Sequence, residues 1–235
     1  MKTIQLALFT IMILKFTTSQ GQYQLSSGAG IDVGAGLRGK SWTPGITYHE
    51  ELGVRGMPWL QAMLGIRAWG YYAGNSELFS QKTDFPRDTL QYNALSSNGI
   101  GFVLGVNLKF GRVNFGASTD LGNLAYGSAR RAIYRKNTAD TTGIGSAYYN
   151  KYVSTMPANL NLLPLLLRRH SGQSEIYARI WITKKVGIKL AYIYGRQAYT
   201  TKSVENSPVY LDNRQRRFSN VYSIPYVALC FRLFE

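Results

Sequence analysis

From Ile100 to Phe110 the chain alternates without a break. Ile100, Phe102, Leu104, Val106, Leu108 and Phe110 fall on one face, and Gly101, Val103, Gly105, Asn107 and Lys109 on the other. A period of two is the signature of a β-strand with two unlike faces. The pattern repeats with Val113, Phe115, Ala117 and Thr119 against Asn114, Gly116, Ser118 and Asp120. Near the start it sets Ile31, Val33, Ala35 and Leu37 against Gly30, Asp32, Gly34 and Gly36. The same reading predicts eight strands, at 28–38, 44–54, 59–72, 99–110, 113–122, 174–183, 186–197 and 219–233.

The connections differ in length. Those at 55–58, 111–112 and 184–185 are tight, 39–43 is short, and 73–97, 123–173 and 198–218 are long. With an even strand count, all the tight turns fall at one end and the long loops at the other, the asymmetry of a bacterial outer-membrane barrel. Alternation alone does not say which face points inward, because a ligand-binding barrel in water has the same period. The polar face is rich in glycine (Gly30, Gly34, Gly36, Gly65, Gly101, Gly105, Gly116, Gly187, Gly195), where a water-facing surface would carry many Lys and Glu. A narrow interior needs small residues, so the aliphatic face is expected to point outward, toward lipid. Aromatic residues cluster near both strand ends, as two interfacial belts would require.

The expected fold class is therefore all-β: an antiparallel transmembrane up-and-down β-barrel of eight strands, with short periplasmic turns and long external loops. It would fill residues 20–235, with a long external loop at about 123–173. A further hairpin joining 144–154 to the apolar run 160–167 would make ten strands, although Pro157 and Pro164 argue against regular central strands there.

Composition adds a compartment. Lys2 followed by the apolar run Ile4–Leu14 and the small residues Thr17-Thr18-Ser19 reads as a cleavable secretory signal over 1–19. Charged residues are 17 % of the chain, against about a quarter in ordinary soluble domains. Cys230 is the one cysteine, so no disulfide forms within the chain, and no cysteine follows the signal to take a lipid anchor.

The last predicted strand ends Tyr226-Val-Ala-Leu-Cys-Phe-Arg-Leu-Phe234, then Glu235. It resembles the C-terminal strand by which outer-membrane barrels are recognised by the barrel-assembly machinery. Pro44-Gly-Ile-Thr-Tyr-His-Glu-Glu-Leu-Gly53, a tight turn, and Leu60 to Tyr72 resemble the second and third strands of small eight-stranded outer-membrane or porin-family β-barrels. The resemblance implies that fold and a place in the cell outer membrane, and it implies no catalytic residues.

An inward glycine face would also carry Asp32, His49, Glu51, Arg67, Lys109, Asp120, Arg179, Lys189 and Arg232. Enclosed charges are costly unless paired, so a lumen charge network is expected, with a weak anion path as the sharper alternative. The formal charge is +15, falling to +13 once a signal holding Lys2, Lys15 and no acid is removed. The excess is concentrated in the long loops, in Arg130, Arg131, Arg135, Lys136, Arg168, Arg169, Arg214, Arg216 and Arg217. Guanidinium forks suit phosphates, which makes outer-membrane lipid, and lipopolysaccharide in particular, the expected partner. Nucleic acid is not expected behind a secretory signal, and 160–167 is a candidate protein contact.

Catalytic signals are thin. His170, Ser171, Ser174 and Glu175 have the residue types of a nucleophilic triad, and His49 shares a face with Glu51. Metal-ligand spacings and phosphate-binding glycine loops are absent from the sequence. No enzyme activity and no cofactor are expected. The functional expectation is a non-enzymatic outer-membrane barrel, structural, adhesive or partner-binding through its basic loops. Its alternatives are an accessory barrel of a secretion or surface-assembly machine, a lipid-modifying outer-membrane enzyme, and a soluble exported ligand-binding barrel.

Overall fold

The computed structural model describes residues 26–54, 56–80, 88–136, 145–203, 208–211 and 216–234. The expected signal segment and Arg214 lie outside them. The strands are β1 (Ser26–Arg38), β2 (Ser41–Val54), β3 (Met57–Phe79), β4 (Thr89–Phe110), β5 (Val113–Tyr126) and β6 (Arg130–Arg135). They continue with β7 (Tyr152–Pro157), β8 (Leu160–Leu162), β9 (Gly172–Trp181), β10 (Val186–Thr201) and β11 (Arg217–Phe234). A single 3-10 turn, Ser146–Tyr148, interrupts them. Each of the eight segments with period-two alternation lies on a strand.

All eleven strands belong to one antiparallel sheet that branches and closes on itself at two levels. At the lower level, the end with the tight turns, hydrogen bonding passes from β1 through β2, β3, β4, β5, β9, β10 and β11 and back to β1. At the upper level six strands go round: β3, β4, β6, β7, β10 and β11, the last meeting β3 at Ser219 and Phe79. Local chemistry makes the branch. The β1–β2 hairpin turns at Gly39, whose φ of +57° suits glycine, so both strands stop while β3 and β11 run on past them. β5 ends at Tyr126, and β6 takes over its place beside β4.

This arrangement corrects the expected eight-stranded up-and-down barrel and its ten-stranded alternative. The sheet has eleven strands and two ring sizes, and its order is branched rather than sequential. The supposed loop 73–97 is mostly the upper halves of β3 and β4, paired up to Phe79 and Thr89. Loop 123–173 contains β6, β7 and β8. Pro157 is tolerated at the end of β7, where the bond to β10 is made by the next residue, the Ala158 N–H donating to the Ala198 carbonyl at 2.9 Å. The tentative hairpin at 144–154 is displaced upstream, to β6 and β7.

The burial pattern fixes the faces. Gly99, Gly101, Val103 and Asn107 of β4 are buried, while Phe102 is 67 % exposed. Around the whole lower ring the outward side chains are apolar: Leu37, Ile46, Ile66, Phe102, Phe115, Ile176, Leu190 and Leu229, one from each strand. Strands press closely at the seam between β1 and β11. A Cβ added to Gly34 would lie 2.2 Å from the Val227 carbonyl oxygen and 2.6 Å from the Ala228 Cα.

Candidate functional site

Inside the lower ring the strands deliver their charges to one place. Arg179 on β9 donates to Glu51 Oε1 on β2 at 2.6 Å and to Asp32 Oδ2 on β1 at 3.1 Å. Lys189 on β10 donates to the same Asp32 oxygen at 3.2 Å and to Glu175 Oε1 at 2.7 Å. Arg67 on β3 reaches Glu175 Oε1 at 2.9 Å and Asp120 Oδ1 on β5 at 3.0 Å. The result is a continuous chain of alternating sign, Glu51–Arg179–Asp32–Lys189–Glu175–Arg67–Asp120. His49 stands beside it, with Nε2 3.4 Å from Asp32 and Nδ1 3.4 Å from Glu51.

These residues come together because strands of different register each present an inward position at one height. Pairing puts Asn114 opposite Arg179, Ser118 opposite Glu175 and Lys189 opposite Arg179. Neutral groups complete the set, and the charge pattern of the sequence gives no hint of them. Asn107 donates to Glu51 at 2.8 Å, Ser118 bonds Glu175 at 3.0 Å, and the Gln173 backbone N–H donates to Asp120 at 2.8 Å. The Tyr177 ring lies under the cations, 4.3 Å from Lys189 Nζ and 5.5 Å from the Arg179 guanidinium.

At Asp32, Asp120 and Glu175 burial opposes ionisation, and its balance against the nearby cations differs from one to the next. For Glu175, Lys189 and Arg67 outweigh burial and bring the carboxyl down to about 2. For Asp32, Lys189 and Arg179 likewise overcome burial and hold it well below the usual carboxylate range. At Asp120 burial prevails over Arg67, and the group is raised.

Of the nine charges expected in the interior, Asp32, His49, Glu51, Arg67, Asp120, Arg179 and Lys189 meet in or beside this chain, together with Glu175. Lys109 and Arg232 lie apart, at the lower mouth, Arg232 with its guanidinium 4.1 Å from the Trp181 ring centroid. The bonded side chains meet across the interior of the ring.

The interior of the upper ring is of another kind. Leu78, Leu90, Tyr92, Leu95, Tyr134, Tyr199, Phe218 and Ile224 form one buried apolar cluster. Val209 and Leu211 enter it from the segment between β10 and β11. The phenols keep partners: Tyr92 bonds Thr155 at 2.9 Å, and Tyr134 donates to Asp88.

The basic positions among the described residues make separate contacts within the chain. Arg130 donates to Ser96 Oγ, Arg131 stacks on Tyr152, Arg135 donates to Gln91 and Asn150, and Arg216 donates to the Thr201 carbonyl. Arg217 reaches the carbonyl of Arg169, and the carbonyl of Arg168 accepts from Ser219. Lys136 follows the end of β6. The triad residue types are not assembled either. Ser171 is tied to the Ala198 backbone, Ser174 bonds Thr119, His170 Nδ1 accepts from the Leu162 N–H, and Glu175 belongs to the interior chain. Among the described residues no group of three or more His, Cys, Asp or Glu is placed to hold a metal ion.

Outside, the segment 163–171 leaves the sheet between β8 and β9 and carries Leu163, Leu165, Leu166 and Leu167 outward. Leu165 overhangs an apolar cleft of about 720 Å³, floored by Ala62, Leu104, Val106, Ala117, Ile176 and Tyr192.

No family model matches the chain, and no curated protein matches it either. The resemblance to small outer-membrane barrels is not upheld, because the branched eleven-stranded sheet departs from their uniform eight. The outer-membrane location, the lipopolysaccharide partner and the roles as adhesin, assembly accessory or lipid-modifying enzyme were expectations of that barrel, and they fall with it. The expected barrel-assembly partner falls with the barrel; β11 is paired with β1 on one side and β10 on the other within the branched sheet. Of the 160–167 patch, 160–162 is β8, paired to β5, and the leucines that follow it are exposed.

Proposed function

We propose that the protein is a hydrocarbon-binding scaffold: a stiff ring whose outer wall takes the alkyl chains of amphiphiles, most closely in the cleft beneath Leu165. The observation behind this reading is the inversion of the lower ring, with charges paired inside and aliphatic side chains outside. Exposed apolar patches beyond a few hundred Å² mark contact surfaces, and here the apolar surface runs round all eight strands of the lower ring. A single folded partner covers one side of a molecule. A collar of alkyl chains covers a circumference. Among the described residues each of the eight strands of this ring is also paired on both sides.

The test is the mass of dodecyl maltoside bound by the purified chain, measured by sedimentation at matched solvent densities. A collar of many detergent molecules per chain is expected, thinned by Phe102→Asp with Ile176→Asp. A chain that is monodisperse without amphiphile and binds none when it is added would overturn the reading.

A further inference from the structure

The cleft under Leu165 has an order in its lining that hydrocarbon contact alone does not require. Ladder pairing sets Ala62, Val106, Ala117, Ile176 and Tyr192 in one row across β3, β4, β5, β9 and β10. The next row toward the upper ring ends in three hydroxyls, with Thr119 of β5 opposite Ser174 of β9, and Ser174 opposite Tyr194 of β10. Residues of both rows line the cleft.

Thr119 and Ser174 share one hydrogen bond of 2.7 Å, in which either can donate. Whichever does, the hydroxyl hydrogen of the other is left for a third group. Tyr194 adds a second hydroxyl donor, on a side that is 41 % exposed. Two donors side by side at one end of an apolar cleft match the two oxygens of a carboxylate.

Charge points the same way. Arg196 stands two residues beyond Tyr194 on the same face of β10, about 7 Å farther along the strand. Its guanidinium donates to the carbonyls of Pro164 and Leu167, which flank Leu165, at 3.3 and 3.0 Å. Those bonds hold the 163–171 segment over the cleft, and carbonyl partners do not cancel the positive charge. Asp120 and Glu175, the carboxylates of β5 and β9, are buried on the inner side, and β10 carries none.

We propose that this cleft binds a fatty carboxylate, a single alkyl chain with a small anionic head. The head lies under the 163–171 segment, accepts from the hydroxyls of Thr119 or Ser174 and of Tyr194, and sits in the field of Arg196. The tail runs toward the tight turns over Val106, Ala117 and Ile176. The proposal rests on the hydrocarbon-binding reading and gives one site on the outer wall its ligand.

The test titrates the full chain, held in dodecyl maltoside, with dodecanoate labelled with ¹³C at the carboxyl, against maltoside alone. A bound carboxyl resonance that saturates at one per chain is expected. Unlabelled dodecanoate should displace the label about tenfold more effectively than dodecanol, the worth of one hydrogen bond to a charged group, and acetate should not displace it. Thr119→Val combined with Ser174→Ala is expected to bring dodecanoate down to the level of dodecanol. The order of the competitors in the unaltered chain decides the matter even if that variant fails to fold. Dodecanol or acetate displacing the label as well as dodecanoate does, or a preference that survives the double substitution, would overturn the proposal. A maltoside collar without a saturable dodecanoate site overturns the carboxylate assignment alone, whereas a chain that takes up neither removes the hydrocarbon reading as well.

Discussion

The lower and upper rings share β3, β4, β10 and β11, yet they fill their interiors in opposite ways. Below, eight strands enclose a chain of seven alternating charges, with glycine where strands or rings press close. Above, six strands enclose leucine, tyrosine and phenylalanine. β4 changes character within its own length. Asn107, Gly105 and Gly101 face the lower bore, and Leu95, Tyr92 and Leu90 the upper one. Closure alone does not dictate what an interior is made of. An apolar filling is stabilised in proportion to the area it buries, whereas an ionic filling depends on every partner being present. The lower ring gains little net stability from its ion pairs and is very sensitive to losing one.

The largest effect therefore belongs to Arg179. Arg179→Met leaves Asp32 and Glu51 without their shared cation, and a loss of about 3–5 kcal/mol is expected, as for other broken buried pairs. Denaturant unfolding measures it. A loss below 1 kcal/mol would mean that the charges are independently solvated and that the two rings are not different in kind.

In the upper ring, Leu90→Ala removes a fully buried side chain and is expected to cost about 2–5 kcal/mol. The comparison sharpens with pH. Glu175 ionises at about 2 in the folded protein against an ordinary 4.5. A depressed carboxylate contributes stability that is full above its unfolded value and is lost as pH falls through the folded one. Stability should thus decline from about pH 4.5 toward 2, with Asp32 acting in the same direction and the raised Asp120 offsetting part. Glu175→Gln should flatten that slope, and Leu90→Ala should leave it unchanged. Equal slopes in the two variants would remove the distinction between the rings.

A smaller effect is expected at the seam. Gly34→Ala drives a methyl group into the Val227 carbonyl and the Ala228 backbone, for an overpacking cost of about 1–3 kcal/mol. Hydrogen exchange should place the loosening in β1 and β11 and leave β6 and β7 as protected as before.

The lower ring was legible in the sequence to a degree that the upper ring was not. Alternation in 99–110 and 113–122 marks both the strands and their faces, because glycine and polar residues on one side contrast with aliphatics on the other. Above that level the contrast fades. Gly74-Asn75-Ser76 has the composition of a turn, yet β3 runs through it, with Asn75 at φ +48° and the same register in the Gly74 and Ser76 pairs on either side. β6 and β7 are six residues each, too short for a periodic signal, and they find each other only because β4 and β10 stand ready on either side. The charges of the interior were visible as inward positions. Which carboxylate meets which cation was not, since that depends on the stagger between strands.

The smallest effect on stability is expected on the outside, and it separates folding from function. Leu166 is 73 % exposed on the segment that leaves the sheet before β9. Leu166→Ser removes no buried area, so a change within about 0.5 kcal/mol is expected. If the outer wall takes alkyl chains, the same substitution should lower the detergent mass bound by the chain, because Leu166 extends the apolar surface beside the cleft under Leu165. Its counterpart inside the upper ring, Leu90→Ala, should do the reverse, weakening the fold while leaving bound detergent unchanged per folded molecule. An unchanged detergent mass in Leu166→Ser would confine hydrocarbon binding to the sheet itself. A large loss of stability there would mean that the leucines of 163–167 pack on the ring rather than serve what surrounds it.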